Sequence, residues 1–425
     1  MANICVIGTG YVGLSCGACL SSMGHNVICV DIDHVKVDML NSGQIPIMEA
    51  GLDEIVQWGI ANETLSFTTD LSQGLKFAEF VFLCLATPQS EDGSADLSIL
   101  MSAVEAISPL VRSGSVLITK STVPIGAFIE VERVLNRTDV SVASNPEFVR
   151  EGSAVYDFLH PDRIVIGSGD AEVAHRVVAI FNSLDSPVLI TDSASAEAIK
   201  HASNSFLAVK LSYINTIAIM CELYGADAID VARGIGLDSR IGSGFLTPGP
   251  GWGGSCFPKD TSALLQMAHA RGYEFAILRE AIAVNQAVQD RIVEKVCSSI
   301  TGDIRSKKIA VWGLTFKANT DDVRDSPAVK IISRLLALGA EVGCYDPALK
   351  IIPWSIDQAY LAASVEESCE RAELLIVLTE WPQFAMVQPN QISQKMASKQ
   401  IIDCRNVLDK YRWVDAGYSY QGLGR

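Results

Sequence analysis

The sequence lacks a surplus of positive charge and has no long hydrophobic run. Its 33 lysines and arginines are outnumbered by 49 aspartates and glutamates, which gives a formal net charge of −16. We therefore expect no nucleic-acid partner and no anionic membrane surface, since both require a basic face. No stretch approaches 18 uncharged apolar residues, and even Ser205–Cys221 contains Lys210, so we expect no membrane span. The first residues include no basic segment and their apolar stretch is broken by glycines, so we expect no signal peptide.

Metal-binding and redox patterns are also missing. The six histidines form no cluster, and we assign them no chemistry and no metal. Cys16-Gly-Ala-Cys19 has no second CxxC pair, which favours small residues packing a helix onto a sheet over zinc or redox chemistry. Most other cysteines, such as Cys5, Cys29 and Cys84, lie in apolar runs typical of buried thiols. With no secretory signal, we expect reduced thiols and a cytoplasmic location.

The first part of the chain has the pattern of a parallel sheet covered by helices. Its 425 residues predict two or three domains. The chain opens with an apolar run at Asn3–Ile7, a glycine turn, a run of small residues and a second apolar run at Asn26–Val30. Further runs of this kind occur at Phe80–Leu85, Val116–Thr119, Val140–Ser144 and Ile164–Ile166. Strands alternating with helices predict a parallel sheet with helices on both faces.

The middle and last parts of the chain complete an α/β architecture. Helical periodicity replaces strand signals from about Ser195 to Val296. The last third repeats the opening pattern, because the segment that ends in Asp346 has the same order of helix end, glycine, strand and aspartate as the segment that ends in Asp31. We predict two Rossmann-like doubly wound domains, 1–195 and 297–425, joined by a central helical domain, 196–296. A common origin of the two outer domains is an interpretation of this repeat.

A dinucleotide-binding fingerprint lies in the opening turn. Gly8-Thr-Gly10-Tyr-Val-Gly13 is a weak signal alone, but here a strand precedes it, a helix follows it and Asp31 ends the next strand. The glycines let the backbone approach a pyrophosphate, whose charge meets the helix N-terminus. Asp31 would accept hydrogen bonds from a ribose and repel a 2′-phosphate, so NAD is favoured over NADP. A glycine turn without a ligand is the alternative.

Polar residues follow several of the predicted strands. Thr87-Pro88, Ser121-Thr122-Val-Pro124 and Asn145-Pro-Glu147 each stand just after one. The carboxyl ends of strands line the ligand crevice in open α/β sheets. Each segment alone is better explained by a plain turn with a capping hydroxyl, but their recurrence after successive strands favours a site.

The glycine-rich segment that precedes Cys256 is the strongest catalytic candidate. It reads Phe245-Leu-Thr-Pro-Gly-Pro-Gly-Trp-Gly-Gly-Ser-Cys256-Phe-Pro-Lys259-Asp260. Glycines suit a loop whose backbone closely approaches a ligand. Nearby positive charge or a helix N-terminus would favour the thiolate, so we interpret Cys256 as a nucleophile rather than a buried thiol.

Together these motifs resemble the UDP-glucose/GDP-mannose dehydrogenase family, and its UDP-glucose branch in particular. They follow family order over nearly the whole chain: the glycine turn, Lys120-Ser-Thr-Val-Pro124, Ser144-Asn-Pro-Glu-Phe-Val-Arg-Glu151, Glu197-Ala-Ile-Lys-His-Ala-Ser-Asn204, the Cys256 loop and Phe316-Lys-Ala-Asn-Thr-Asp-Asp-Val-Arg324. The resemblance implies the fold predicted above, with a long central helix that forms a homodimer. It also implies UDP-glucose as substrate and two NAD-linked oxidations at one carbon.

The resemblance assigns roles to the reactive groups. Cys256 would form a thiohemiacetal and then a thioester, which water releases as the uronate. Lys200 and Asn204, spaced i and i+4 on a helix, would stabilise the oxyanion; spacing alone would leave Lys200 a solvated charge. Asp260 would act with Lys200 on a bound water, and Glu147 would be the base for thioester hydrolysis, with water held near Thr122.

The resemblance also carries over binding residues. Contacts with NAD are expected from Gly8, Gly10, Tyr11, Val12, Gly13, Asp31, Lys36, Thr87, Thr122, Glu151, Lys259 and Arg324. Contacts with the UDP-sugar are expected from Glu147, Phe148, Val149, Arg150, Glu151, Lys200, Asn204, Phe245, Leu246, Thr247, Pro248, Gly249, Gly253 and Lys317. Arg240 would reach the pyrophosphate bound to a neighbouring subunit. For Lys317 and Arg324 a surface charge is the alternative.

Two other functions stay open at this stage. Another branch of the family would act on GDP-mannose or a different nucleotide sugar, and Trp252 stands where the UDP-glucose branch more often has Phe or Tyr. A non-catalytic NAD-binding sensor would keep the fold but lose reactive groups. The presence of Cys256, Lys200 and Asp260 argues against a sensor.

Overall fold

A computed structural model describes all 425 residues and forms two sheets, separated in sequence by four helices. The elements of the first part are β1 (Asn3–Ile7), α1 (Tyr11–Ser22), β2 (Asn26–Val30), α2 (His34–Asn41), α3 (Leu52–Ala61), β3 (Leu65–Thr68), α4 (Leu71–Leu75), β4 (Phe80–Leu83), α5 (Ser98–Ile107), β5 (Val116–Thr119), α6 (Ala127–Leu135), β6 (Ser141–Ser144), α7 (Ala154–Leu159), β7 (Ile164–Gly167), α8 (Ala171–Ile180) and β8 (Val188–Thr191).

The first sheet has the strand order β3-β2-β1-β4-β5-β6-β7-β8. Its order reverses between β1 and β4, where Ile7 pairs with both Val30 and Leu83, so the crevice of a doubly wound fold lies at the carboxyl ends of these strands. The residues of β4 and β5 are all buried, as expected for central strands covered on both faces. The predicted Rossmann-like architecture is confirmed.

One strand pair departs from the predicted parallel arrangement. β6 and β7 pair antiparallel through Ser144 and Gly167. The connection between them, residues 145–163, contains the six-residue helix α7. An antiparallel strand needs no crossover, because it begins at the edge of the sheet at which the preceding strand ends.

Four helices and no strand occupy the middle of the chain. They are α9 (Ser193–Tyr224), α10 (Ala228–Gly236), α11 (Phe257–Ala270) and α12 (Ala276–Ser299). α9 is long and apolar enough to cross a membrane by length and composition, with 33% of its most apolar window buried. A core helix of a soluble protein also meets these criteria, so the expectation of no membrane span stays a prediction.

The second sheet repeats the first. Its part of the chain contains β9 (Lys308–Trp312), α13 (Pro327–Ala337), β10 (Glu341–Tyr345), a 3₁₀ turn (Trp354–Ile356), β11 (Tyr360–Leu361), α14 (Val365–Ser368), β12 (Leu374–Val377), α15 (Pro382–Met386), α16 (Pro389–Ile392), β13 (Gln400–Asp403), α17 (Lys410–Asp415) and β14 (Ser419–Gly422). The strand order β11-β10-β9-β12-β13-β14 reverses between β9 and β12, at the same point as in the first sheet.

Details of the opening turn also recur in the second sheet. The Gly8 N–H donates to the Val30 carbonyl at 2.8 Å, and the Gly313 N–H donates to the Tyr345 carbonyl at 2.8 Å. The aspartate that follows accepts from the turn in both cases, since Asp31 binds the Thr9 N–H and Asp346 binds the Leu314 and Thr315 N–H groups. The short sequence repeat therefore corresponds to a repeated structure.

The chain divides into two compact units. The first comprises residues 1–203 and 262–273, and the second comprises residues 204–261 and 274–425. Helices α9 and α11 each contribute residues to both units. The division into three domains at 195 and 296 stays an interpretation of the sequence.

Candidate active site

The glycine turn after β1 is shaped by contacts inside the first unit. Gly8 has a φ of +93°, and a Cβ atom on it would lie 2.7 Å from the Cys84 carbonyl oxygen. A Cβ atom on Gly13 would lie 1.9 Å from the Gly8 oxygen, but one on Gly10 would meet nothing within 4 Å. Gly10 also precedes α1, which has no side-chain cap. Because Gly10 has no side chain and the N-terminus of α1 is uncapped, a pyrophosphate can approach the backbone at this point.

Asp31 lies beside this turn and is held by it. Its Oδ2 accepts from the Thr9 N–H at 2.8 Å, the Thr9 hydroxyl at 2.6 Å and the Lys36 Nζ at 3.2 Å. Burial raises the pKa of Asp31, but the hydrogen bonds from Thr9 and Asp33 outweigh burial and hold the pKa below its ordinary value. A fixed negative charge therefore stands where β2 ends, as dinucleotide recognition requires.

The polar residues predicted after successive strands come together in the first unit. The Thr87 hydroxyl donates to the Thr122 carbonyl at 2.7 Å. The Ser121 hydroxyl lies 2.7 Å from the Leu85 carbonyl and accepts from the Leu85 N–H at 2.8 Å. These bonds tie the loop after β5 to the loop after β4, at the carboxyl edge of the sheet.

Glu147 and Lys200 form a buried ion pair. The Lys200 Nζ lies 2.7 Å from a Glu147 carboxylate oxygen and 2.8 Å from the Glu147 carbonyl oxygen. The second carboxylate oxygen accepts from the Val149 N–H at 2.8 Å. Only 5% of the Lys200 side chain and 6% of the Glu147 side chain are exposed, so Lys200 is not a solvated helix charge.

Two other predicted residues of this unit are held by protein groups. The Tyr11 hydroxyl bonds to Glu49 and accepts from the Gly152 N–H at 2.5 Å. The Arg150 guanidinium forms a two-point pair with Asp157, at 2.9 and 2.6 Å. Tyr11 therefore fixes the backbone just after Glu151, whereas the Arg150 side chain is 62% exposed and paired with Asp157.

Cys256 lies in the second unit, immediately before α11. It is one of two cysteines that are partly exposed; the other nine are buried, which agrees with the prediction that most of the cysteines are buried thiols. Its carbonyl accepts the Asp260 N–H at 2.9 Å, so the thiol stands at the first turn of the helix, where the exposed N–H dipoles favour a thiolate. Asp260 is buried, and its two oxygens accept from Asn204 Nδ2 and Lys259 Nζ, each at 2.6 Å.

The glycine loop before Cys256 packs too closely to accept side chains. A Cβ atom on Gly253 would lie 2.1 Å from the Asp325 carbonyl oxygen, and one on Gly254 would lie 2.8 Å from the Phe316 ring. Asn285 accepts the Trp252 N–H at 2.8 Å and donates to the Trp252 carbonyl at 2.9 Å. The loop is therefore fixed within the second unit beside segment 316–325, which carries Lys317 and Arg324.

The predicted cations of the second unit differ in their surroundings. Arg324 forms a two-point pair with Asp322, and Lys317 lies 5.7 Å from the Phe316 ring centroid. Arg240 is paired with Asp238, and its side chain is 87% exposed. Nothing in one chain tests a contact between Arg240 and a neighbouring subunit, which stays a prediction.

Sequence reasoning missed an arginine beside the loop. A Cβ atom on Gly249 would lie 2.9 Å from Arg405 Nη1, and Arg405 donates to the Phe316 carbonyl at 3.1 Å. Only 15% of its side chain is exposed. Arg405 follows β13 at its carboxyl end, and the strand-end rule used for the first sheet could have found it in the second.

Comparison with known proteins identifies the same family that the sequence motifs resemble. Models of the UDP-glucose/GDP-mannose dehydrogenase family match residues 2–185 (NAD binding domain), 194–287 (central domain) and 310–410 (UDP binding domain). A UDP-glucose 6-dehydrogenase from Rhizobium meliloti is 43% identical, over 100% of this chain and 99% of the relative.

Solved structures agree with the sequence comparison. A UDP-glucose dehydrogenase from Pyrobaculum islandicum is 34% identical with a TM-score of 0.92, covering 100% of this chain and 98% of the other. A UDP-D-ManNAc dehydrogenase from Pyrococcus horikoshii is 27% identical with a TM-score of 0.89, covering 99% of both chains. The chain belongs to the UDP-glucose/GDP-mannose dehydrogenase family, whose members are NAD-dependent oxidoreductases.

Proposed function

We propose that the chain oxidises the C6 hydroxyl of UDP-glucose to the carboxylate of UDP-glucuronate, with two NAD and one water, through a thioester on Cys256. The partly exposed thiol at the start of α11 carries this proposal, because a two-step oxidation needs a nucleophile that retains the aldehyde. The 43% identity to a UDP-glucose 6-dehydrogenase supports glucose as the sugar.

Bound NAD would supply the hydride acceptor for each of the two oxidations of the substrate carbon. The Cys256 thiolate adds to the aldehyde formed first, and the thiohemiacetal that results loses the second hydride to become a thioester. Water then cleaves the C–S bond, which releases the carboxylate and restores the thiol. The Gly8–Gly13 turn would hold the pyrophosphate, and Asp31 would hold the ribose hydroxyls.

The buried charged groups support the proton transfers. Glu147, the proposed base for hydrolysis, is paired with Lys200, whose Nζ lies 2.7 Å from a carboxylate oxygen. Asp260 is oriented by Asn204 and Lys259, which suits a carboxylate that exchanges protons through a water. Lys200 and Asn204 are the proposed oxyanion donors. We also propose a homodimer formed through α9, whose Phe206, Tyr213 and Leu223 are exposed apolar side chains.

A panel of nucleotide sugars with NAD tests the substrate. NADH absorbance should rise with UDP-glucose faster than with GDP-mannose or UDP-N-acetylmannosamine. A higher rate with either competitor would move the chain to another branch of the family, and no turnover with any sugar would favour an NAD-binding sensor.

A single substitution tests the covalent step. Cys256→Ser should not convert UDP-glucose to the uronate, because a hydroxyl is a far poorer nucleophile than a thiolate near neutral pH. Cys297→Ser is the matched control, since Cys297 is the other partly exposed thiol. Full uronate production by Cys256→Ser would exclude a thioester.

A further inference from the structure

A buried glutamate caps a helix that its own N-cap residue cannot cap. Glu197, on α9, is 3% exposed, and its two oxygens accept from the Gly126 N–H at 2.6 Å and the Phe128 N–H at 3.0 Å. Gly126 is the N-cap of α6 and has a φ of +92°, so the residue there has no side chain to offer. A carboxylate at this position also interacts favourably with the helix dipole.

The next turn of α9 holds the same loop at a second point. His201 Nε2 lies 2.8 Å from the Val123 carbonyl oxygen, so the ring donates through Nε2, and the side chain is 2% exposed. Glu197 and His201 are spaced i and i+4 and therefore lie on one face of the helix. Together they fix loop 122–126 near both of its ends.

The loop held in this way leads to the cofactor crevice. Thr122 immediately precedes Val123, and its carbonyl accepts the Thr87 hydroxyl at 2.7 Å. The preceding Ser121 bonds to Leu85, and Leu85 Cδ2 would lie 3.1 Å from a Cβ atom on Gly8. A chain of direct contacts therefore runs from Glu197 and His201 to the turn that is suited to the pyrophosphate.

We propose that Glu197 and His201 are positioning residues for NAD, because they hold the loop after β5 in the form that presents Thr122 to the cofactor. This inference rests on the proposed function in one respect, the contact between Thr122 and NAD. The cost of the arrangement supports a role beyond packing: burial raises the pKa of Glu197 to about 7 despite the backbone N–H donors. An apolar side chain would fill the same space without that cost.

Titration with NADH, followed by its fluorescence, tests the proposal without any sugar. Glu197→Ala should weaken NADH binding about tenfold, because an unsatisfied helix terminus lets the loop move. Glu197→Gln keeps one acceptor oxygen and should lose less, about threefold. His201→Leu should also weaken binding. The matched control is Asp170→Ala, which removes the side-chain cap of α8 and should change NADH affinity by less than about twofold. Melting temperatures of all variants show how much protein is folded during the titration.

The outcomes separate a positioning role from a purely structural cap. If Glu197→Ala and Asp170→Ala lower the melting temperature alike and both bind NADH normally, the proposal is overturned. Should Glu197→Ala not fold, Glu197→Gln and His201→Leu decide, and normal binding by both overturns the proposal. Thr122→Ala tests the contact between Thr122 and NAD separately. If Thr122→Ala weakens NADH binding and Glu197→Ala does not, the contact stands and only the positioning role is refuted. Native protein that binds NADH but does not oxidise UDP-glucose would refute the proposed function and leave this test intact.

Discussion

Replacing Lys200 should lower both the free energy of unfolding and the turnover. The first loss follows from the buried pair with Glu147, and the second from the proposed role of Lys200 as an oxyanion donor. The two side chains are 5% and 6% exposed and lie 2.7 Å apart. Lys200→Met would leave the Glu147 carboxylate buried without its cation. Removing one partner of a buried ion pair costs about 3–5 kcal/mol in the free energy of unfolding. The Val149 N–H, which also binds the carboxylate, offsets only part of that cost.

The double variant Lys200→Met/Glu147→Gln isolates the pair. It buries no unpaired charge, so its free energy of unfolding should be closer to that of the native protein than that of Lys200→Met alone. Urea unfolding followed by circular dichroism gives the free energy of unfolding of the native protein, Lys200→Met, Glu147→Gln and the double variant. Turnover of UDP-glucose is measured on the same preparations. Loss of an oxyanion donor should lower turnover of the folded Lys200→Met protein by about a hundredfold. The double variant should lose more, because it also lacks the proposed base Glu147.

Two results would refute this reasoning. A cost below about 1 kcal/mol for Lys200→Met would mean that the pair behaves like an exposed one. A turnover loss that merely follows the unfolded fraction would mean that Lys200 stabilises the fold and takes no part in the reaction.

Three further substitutions have defined outcomes. Asp31→Ala should raise kcat/KM for NADP relative to NAD, since a fixed negative charge beside a 2′-phosphate is removed; an unchanged ratio of the two efficiencies would contradict the role of Asp31. Gly253→Ala should weaken UDP-glucose binding, because the new Cβ atom would lie 2.1 Å from a backbone oxygen. Gly244→Ala is the control, since a Cβ atom there would meet nothing within 4 Å, and this variant should bind UDP-glucose normally. Equal affinities of the two variants for UDP-glucose would show that the loop can shift. Burial raises the pKa of Glu222, but hydrogen bonds from Lys295 and a backbone N–H leave it below its ordinary value. Its contribution to stability is therefore present above about pH 4.3 and lost as pH falls through the lowered pKa, and Glu222→Gln should flatten that loss in acid unfolding measurements.

The sequence predicted the parts of the fold that depend on local patterns. Strands β1, β2 and β4 to β7 follow from apolar runs, and the turns of both sheets contain glycines whose φ is positive, at Gly8 and Gly313. The edge strands β3 and β8 of the first sheet were not predicted. The antiparallel pairing of β6 with β7 was not predicted, because apolar runs show where strands lie and not the direction in which they pair.

The site was predicted in its residue types but not in its pairings. Resemblance pointed to Lys200 and Glu147 as separate groups, and only the fold brings these residues, 53 positions apart, into one ion pair. Glu197 stood in a quoted motif without a role, since its partners are backbone N–H groups that have no sequence signature. Arg405 was missed for another reason: it follows the carboxyl end of β13, and the strand-end rule was applied only to the first sheet.

The stoichiometry of the reaction tests the central claim most directly. Purified protein is given a limiting, known amount of UDP-glucose with excess NAD; NADH is measured by absorbance and the sugar product by mass spectrometry. The account predicts two NADH for each UDP-glucose consumed, with UDP-glucuronate as the product and no free aldehyde. One NADH for each UDP-glucose, with an aldehyde released, would contradict a thioester on Cys256.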